Sequence, residues 1–171
     1  AVICEHIIRH YTEGWADGFR YDIEYWEIWN EPDAQTDELR HTSSQWQGTR
    51  VQFFEFYKVA AQHLKKCFPH LKIGGPAVAG LRPDWLAGFF TKLKENGIVP
   101  DFFSWHRYDK NPRRLVEKVR YARELLDQYG FTETESNLNE WNYVRGWTGD
   151  DWVYSLKSEK NIKGASFIAA V

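Results

Sequence analysis

Two glutamates stand at the ends of strand-like runs, one followed by a turn and the other by an aromatic residue. Glu31 closes the run Tyr25-Trp26-Glu27-Ile28-Trp29-Asn30-Glu31-Pro32-Asp33, and Glu140 sits within Asn139-Glu140-Trp141. The first half of the longer run is apolar and aromatic with little alternation, as in a strand buried on both faces of a parallel sheet. Asn-Glu-Pro-Asp then makes a turn that a strand cannot run through. A carboxyl group is thereby set at a strand end, with an amide beside it and rings around it. Burial disfavours the charged form of a carboxylic acid, so a group in such a place is suited to act as a general acid. Glycoside hydrolysis pairs that acid with a second, ionised carboxylate, which attacks the anomeric carbon or activates water. Glu140 lies 109 residues after Glu31 (140 − 31) and is the candidate partner. Taken singly, each glutamate has an ordinary reading as a polar strand end; together they point to chemistry.

Other side chains qualify this reading. Asp101-Phe102-Phe103-Ser104-Trp105 reads as a strand that delivers His106, Arg107 and Tyr108 at its end. His106 is either a hydrogen-bonded structural histidine or part of a site with Tyr108. Trp141 and Trp147 either line a pocket or pack beneath the following loop. Glu133 and Glu135 fall in a polar stretch and are expected to face water. No pair of histidines has ligand spacing, and Cys4 and Cys67 form no metal or redox motif. The expectation is no metal, no cofactor, and two buried thiols on helices.

The elements that must position these residues alternate. Val2 to about Trp15 has Ile3, Ile7, Ile8 and Tyr11 at helical spacing, and a polar connection leads to a strand over about Ile23 to Trp29. A polar loop from Asp33 to Ser44 follows, long enough to shape a pocket. The next helix, about Gly48 to Cys67, opens on a Thr49/Gln52 capping box and is ended by Pro69. Leu71 to Ala77 reads as a strand running into Gly-Gly-Pro. A helix over roughly Asp84 to Asn96 stops at Gly97. Another begins with Asn111 as cap and Pro112 at its first position, and closes at Gly130. About Ser136 to Glu140 reads as a strand, followed by Trp141-Asn142-Tyr143; Asp150 to Glu159 reads as a short helix, and Gly164 to Ala170 as a final strand. Strand–helix units recurring about every 30 to 45 residues imply a parallel sheet with right-handed crossovers.

Whole-chain properties narrow the partners. Net charge is −2 with both signs interspersed, against a nucleic-acid or anionic-membrane partner. No apolar run approaches the roughly 20 residues needed to span a bilayer. Nine Trp and an aromatic share of 17% supply rings both for a core and for stacking on sugar faces. Only where rings flank the carboxylates does this favour a carbohydrate. The chain starts within a helical pattern at Ala1, stops within an apolar run at Val171 and contains no Met, which suggests one piece of a longer chain.

The full Trp-Glu-Ile-Trp-Asn-Glu-Pro-Asp run resembles the acid/base strand of the clan A glycoside hydrolases, nearest family 39, the β-xylosidases and α-L-iduronidases. The resemblance extends to Phe54-Glu-Phe-Tyr57-Lys-Val-Ala-Ala, Leu71-Lys-Ile-Gly74-Gly75-Pro76-Ala77 and Asp101-Phe-Phe-Ser-Trp-His106-Arg-Tyr108. It implies an α/β fold, an incomplete (β/α)8 TIM barrel holding strands 4 to 8, with residues 1–171 as the C-terminal part of one catalytic domain and strands 1 to 3 absent. It also implies a retaining β-xylosidase-like exo-glycosidase without cofactor. Glu31 would be the acid/base and Glu140 the nucleophile, since clan A places its carboxylates on strands 4 and 7. Asn30 would bind the 2-hydroxyl of the sugar, with His106, Tyr108 and Trp141 around the substrate. Asn139-Glu140-Trp141-Asn142 departs from the family's usual Thr-Glu-Phe-Asn and is closer to some family 51 arabinofuranosidases, an alternative for the substrate. A non-catalytic carbohydrate-binding protein is the rival class, and self-association through open barrel edges is the expected partner behaviour.

Overall fold

The computed structural model describes residues 1–43 and 45–171; the last residue of the expected polar loop, Ser44, lies outside them. Four strands, β1 (Tyr25–Glu27), β2 (Lys72–Val78), β3 (Phe102–Asp109) and β4 (Glu135–Tyr143), form one sheet in the order β1-β2-β3-β4. Every neighbouring pair is parallel. Parallel neighbours need crossovers, and α2 (Arg50–Cys67), α3 (Pro83–Glu95) and α4 (Pro112–Gln128) supply them. A helix α1 (Val2–Thr12) precedes the sheet, while α5 (Gly149–Ser158) and α6 (Ile162–Ala169) follow it.

Local chemistry accounts for the helix ends. Thr49 and Gln52 satisfy each other's backbone N–H groups in a reciprocal capping box at α2. The Asn111 side chain accepts from Arg113 N ahead of Pro112, whose missing N–H costs nothing at a first helical position. Gly97 and Gly130, at φ +63° and +84°, turn the chain after α3 and α4.

The core lies between the sheet and its helices. Phe53, Tyr57 and Leu64 of α2, Phe89 and Phe90 of α3, and Phe103 and Trp105 of β3 are fully or almost fully buried there. Burying each such side chain contributes about 1.5–3 kcal/mol before conformational entropy is charged. The opposite face of the sheet is polar. Lys72 bonds Tyr25 and Glu135 there, at 2.6 and 2.5 Å, and nearer the strands' C-terminal ends Asn139 donates to Glu27 at 2.9 Å.

Three expectations are corrected. The terminal segment read as a strand is helix α6: Asn161 caps it by accepting from Lys163 N, and its buried residues are Gly164 and Phe167, three apart on one helical face. Phe167 packs with Leu115 and Tyr143 in a small second core, so among the described residues the sheet holds four strands, not five. In α1 the periodic Ile3, Ile7 and Tyr11 are exposed and only Ile8 is buried. Cys4 and Cys67 are free and half-buried, not buried.

Candidate active site

Glu31 is aimed by three attachments behind it. Beyond β1, Ile28 N still donates to Gly74 O (2.9 Å), keeping the chain beside β2. The backbone then turns through positive φ at Trp29 (+75°) and Glu31 (+48°), and Glu31 N donates to Ala77 O (2.8 Å). Non-glycine residues adopt that conformation at a cost, so it persists only where neighbours impose it. Asp33 is one such neighbour. It is fully buried and accepts from Ala79 N (2.7 Å) and Gly80 N (3.3 Å), locking the turn onto the end of β2. Burial pushes the Asp33 carboxyl pKa up, against those N–H bonds and the nearby Arg82 charge.

β3 and β4 bring the rest. His106 is 1% exposed, and its Nδ1 lies 3.0 Å from Glu31 Oε1 and 3.6 Å from Glu140 Oε2. One imidazole nitrogen thus sits between two carboxylates, close enough to hydrogen-bond the first. Tyr108 donates its hydroxyl to Glu140 Oε1. Desolvation, and then that bond, push the Tyr108 pKa above its ordinary value, so the phenol holds its proton. One oxygen of Glu31, one of Glu140 and a ring nitrogen of His106 all lie within 4.8 Å of one another. The structure therefore brings Glu31, His106, Tyr108 and Glu140 together at the C-terminal ends of parallel strands, where barrels carry their sites.

Asn30 is exposed beside Glu31. Trp141 lies apart from the cluster. The register between β3 and β4 shifts between Trp105 and His106, pairing His106 with Glu140 and Arg107 with Trp141. Alternation along β4 then turns the Trp141 ring to the helix side, where it meets Phe167 at 6.5 Å. Trp147 takes the place beside the site instead, edge-on to Tyr108 at 5.2 Å and stacked on Trp152 at 5.4 Å. Glu135 does not simply face water either, since it is bound to Lys72 and Tyr25. Sequence reading missed Asp33 and the Glu27–Asn139 contact; the Pro32-Asp33 turn carried a signal for the first, and nothing local marked the second.

The donor set of two carboxylates and an imidazole is also one that a divalent cation could take. The expectation of no metal site rests on spacing along the chain, which does not register donors gathered from the turn after β1 and from two strands.

Comparison with known proteins settles the lineage. Residues 2–127 match the profile of the glycosyl hydrolases family 39. The chain belongs to this family. It is similar to the β-xylosidase of Geobacillus stearothermophilus, 26% identical over 160 residues, covering 80% of this chain and 29% of that protein. Similarity to the β-xylosidase of Caldicellulosiruptor saccharolyticus is 31% over 108 residues, covering 62% and 19%. A glucosidase structure from Croceicoccus marinus superposes with a TM-score of 0.75 at 31% identity, over 98% of this chain and 33% of that one. A family 51 α-L-arabinofuranosidase from Bifidobacterium longum shares the fold at 18% identity and a TM-score of 0.60, covering 90% of this chain and 35% of its own. The chain thus spans less than a third of the length of the curated relatives it matches, and its four parallel strands are an incomplete (β/α)8 barrel. The matched profile includes Glu31, His106 and Tyr108 and ends before Glu140.

Proposed function

We propose that this chain is the acid/base-bearing part of a retaining O-glycosidase, β-xylosidase-like in substrate. The observation that carries the reading is the convergence of Glu31 and Glu140, with oxygens within 4.8 Å, around the buried His106. Carboxyl groups about 5–5.5 Å apart suit direct attack on the anomeric carbon, whereas an inverting pair stands about 6.5–9.5 Å apart to admit a water. Glu140 attacks the anomeric carbon as the glycosidic C–O bond breaks, and the departing oxygen takes the proton of Glu31. A glycosyl ester on Glu140 results. Glu31, now a carboxylate, removes a proton from water, which displaces Glu140 and releases the sugar with its original anomeric configuration.

The neighbours have matching roles. Tyr108 holds one Glu140 oxygen by its hydroxyl, leaving the other to attack. His106 fixes the Glu31 carboxyl, and Asn30, next to Glu31 in the chain, takes the sugar's 2-hydroxyl, a role that rests on the family resemblance. The β-xylosidase relatives support a pentose substrate. The test is ¹H NMR of the first sugar released by the full-length protein from aryl β-xyloside, with arabinofuranoside, iduronide and glucoside as alternatives. Retained configuration on the xyloside is expected; the inverted anomer, or no turnover of any of the four, would reject the reading.

A further inference from the structure

Outside the barrel's polar face, a second set of donors gathers where α1 crosses α2. Glu5 projects from α1, while His63 and Cys67 stand one turn apart on α2, the i, i+4 spacing that places two side chains on one helix face. His63 Nε2 lies 2.6 Å from Glu5 Oε2 and 3.7 Å from Cys67 Sγ. One donor atom from each residue falls within 4.8 Å of the others. We propose that Glu5, His63 and Cys67 form a zinc-binding site that staples α1 to α2.

Two of the three donor separations are close to what zinc needs, and the third, Glu5 to Cys67, lies within 4.8 Å. Bonds of about 2.0–2.3 Å to N, O and S in a tetrahedron set donors about 3.3–3.7 Å apart. The His63–Cys67 separation already meets this. The Glu5–His63 pair is closer because the two share a hydrogen bond, and it opens by under about 1 Å once a metal replaces the proton between them. A shell already orients the carboxylate: Arg9 Nε holds Glu5 Oε1 at 2.8 Å and leaves Oε2 facing the imidazole.

The donor set selects the metal class. A thiolate and an imidazole favour zinc and similar borderline ions over magnesium or calcium, which take oxygen ligands. Two anionic ligands balance the dication. On binding, the Cys67 thiol releases its proton to solvent, and the neutral imidazole gives up the Nε2 proton it shares with Glu5 and carries its one proton on Nδ1 instead. Three protein ligands leave a fourth position to water, as the part exposure of His63 and Glu5 permits. The staple has mechanical use, because α1 presents a single buried apolar residue, Ile8, to the core.

The test titrates full-length protein with Co²⁺, whose near-ultraviolet charge-transfer band reports a bound thiolate and ignores the sulfur-free Glu31–His106–Glu140 cluster. One equivalent with that band is expected. Cys67→Ser should abolish the band, Cys4→Ser should keep it, and His63→Ala should weaken Zn²⁺ binding at least about 10-fold against a chromophoric chelator. Unsubstituted protein gives a second readout: Zn²⁺ should slow alkylation of Cys67 and spare that of Cys4, mapped by mass spectrometry. No thiolate band, a band that survives Cys67→Ser, or equal alkylation with and without Zn²⁺ would overturn the proposal.

Discussion

On the proposed mechanism Glu140 supplies the group that attacks the anomeric carbon, so Glu140→Ala is expected to lower kcat/KM by several orders of magnitude on every substrate. Glu31→Ala should discriminate. Glycosides with poor leaving groups should lose about 10²–10⁴-fold, while activated aryl glycosides, which need little proton assistance, should form the glycosyl-enzyme at near-normal rates. Equal losses on both kinds would remove Glu31 from the acid role. Tyr108 offers a pH signature. Its folded pKa is raised by burial and by donation to Glu140, so the stability it contributes is present below the ordinary tyrosine value of about 10 and is lost as pH rises through the raised one. Ultraviolet titration should therefore show no difference between wild type and Tyr108→Phe near pH 10, and a difference only above it. The variant should also lose about 10- to 100-fold in kcat/KM, the worth of one charge-assisted hydrogen bond. A tyrosine that disappears from the titration near pH 10 would contradict this placement.

Strands and helices put those residues in place, and their weak points are specific. A Cβ on Gly74 would lie 2.2 Å from the Phe102 carbonyl oxygen, so Gly74→Ala should force β2 from β3 and cost at least about 1–3 kcal/mol. Thr49→Ala removes half of the α2 capping box and should cost about 1 kcal/mol. Tyr57→Phe should be neutral or stabilising, because the buried Tyr57 hydroxyl has no hydrogen-bond partner among the described residues. Denaturant midpoints of the full-length variants, at unchanged slope, check all three; a silent Gly74→Ala would show that the strands pack otherwise. Much at this scale was legible. Thr49 with Gln52, Asn111 with Pro112, Gly97 and Gly130 mark helix ends by local chemistry, which a sequence carries in full. Residues 164–170 were misread because a short run of small and apolar residues suits a strand or a helix, and the Asn161 cap that decides it was overlooked. Trp141 and Trp147 could not be separated because the register shift between β3 and β4, invisible along one chain, decides which side of β4 each residue faces.

At the scale of the molecule, β1 and β4 are the outer strands of the sheet, and its polar face carries the candidate site. An apolar groove of about 440 Å³ opens beside β1, lined by Ile3, Ile7, Trp26, Trp29 and Phe56 among others. In a closed (β/α)8 barrel such edges are paired and such grooves filled. We therefore expect residues 1–171 expressed alone to self-associate and to lack activity on aryl xyloside, while full-length protein is active. Sedimentation together with an activity assay decides this, and a monomeric, active 171-residue chain would contradict it. The central claim, that Glu140 bonds the sugar while Glu31 moves the proton, is tested most directly by trapping the intermediate. Full-length protein is incubated with the 2-deoxy-2-fluoro analogue of the glycoside it hydrolyses, then digested and mapped by mass spectrometry. The account predicts one fluoroglycosyl ester, on Glu140, formed faster in the wild type than in Tyr108→Phe. An ester on Glu31 or on any other carboxylate would contradict it.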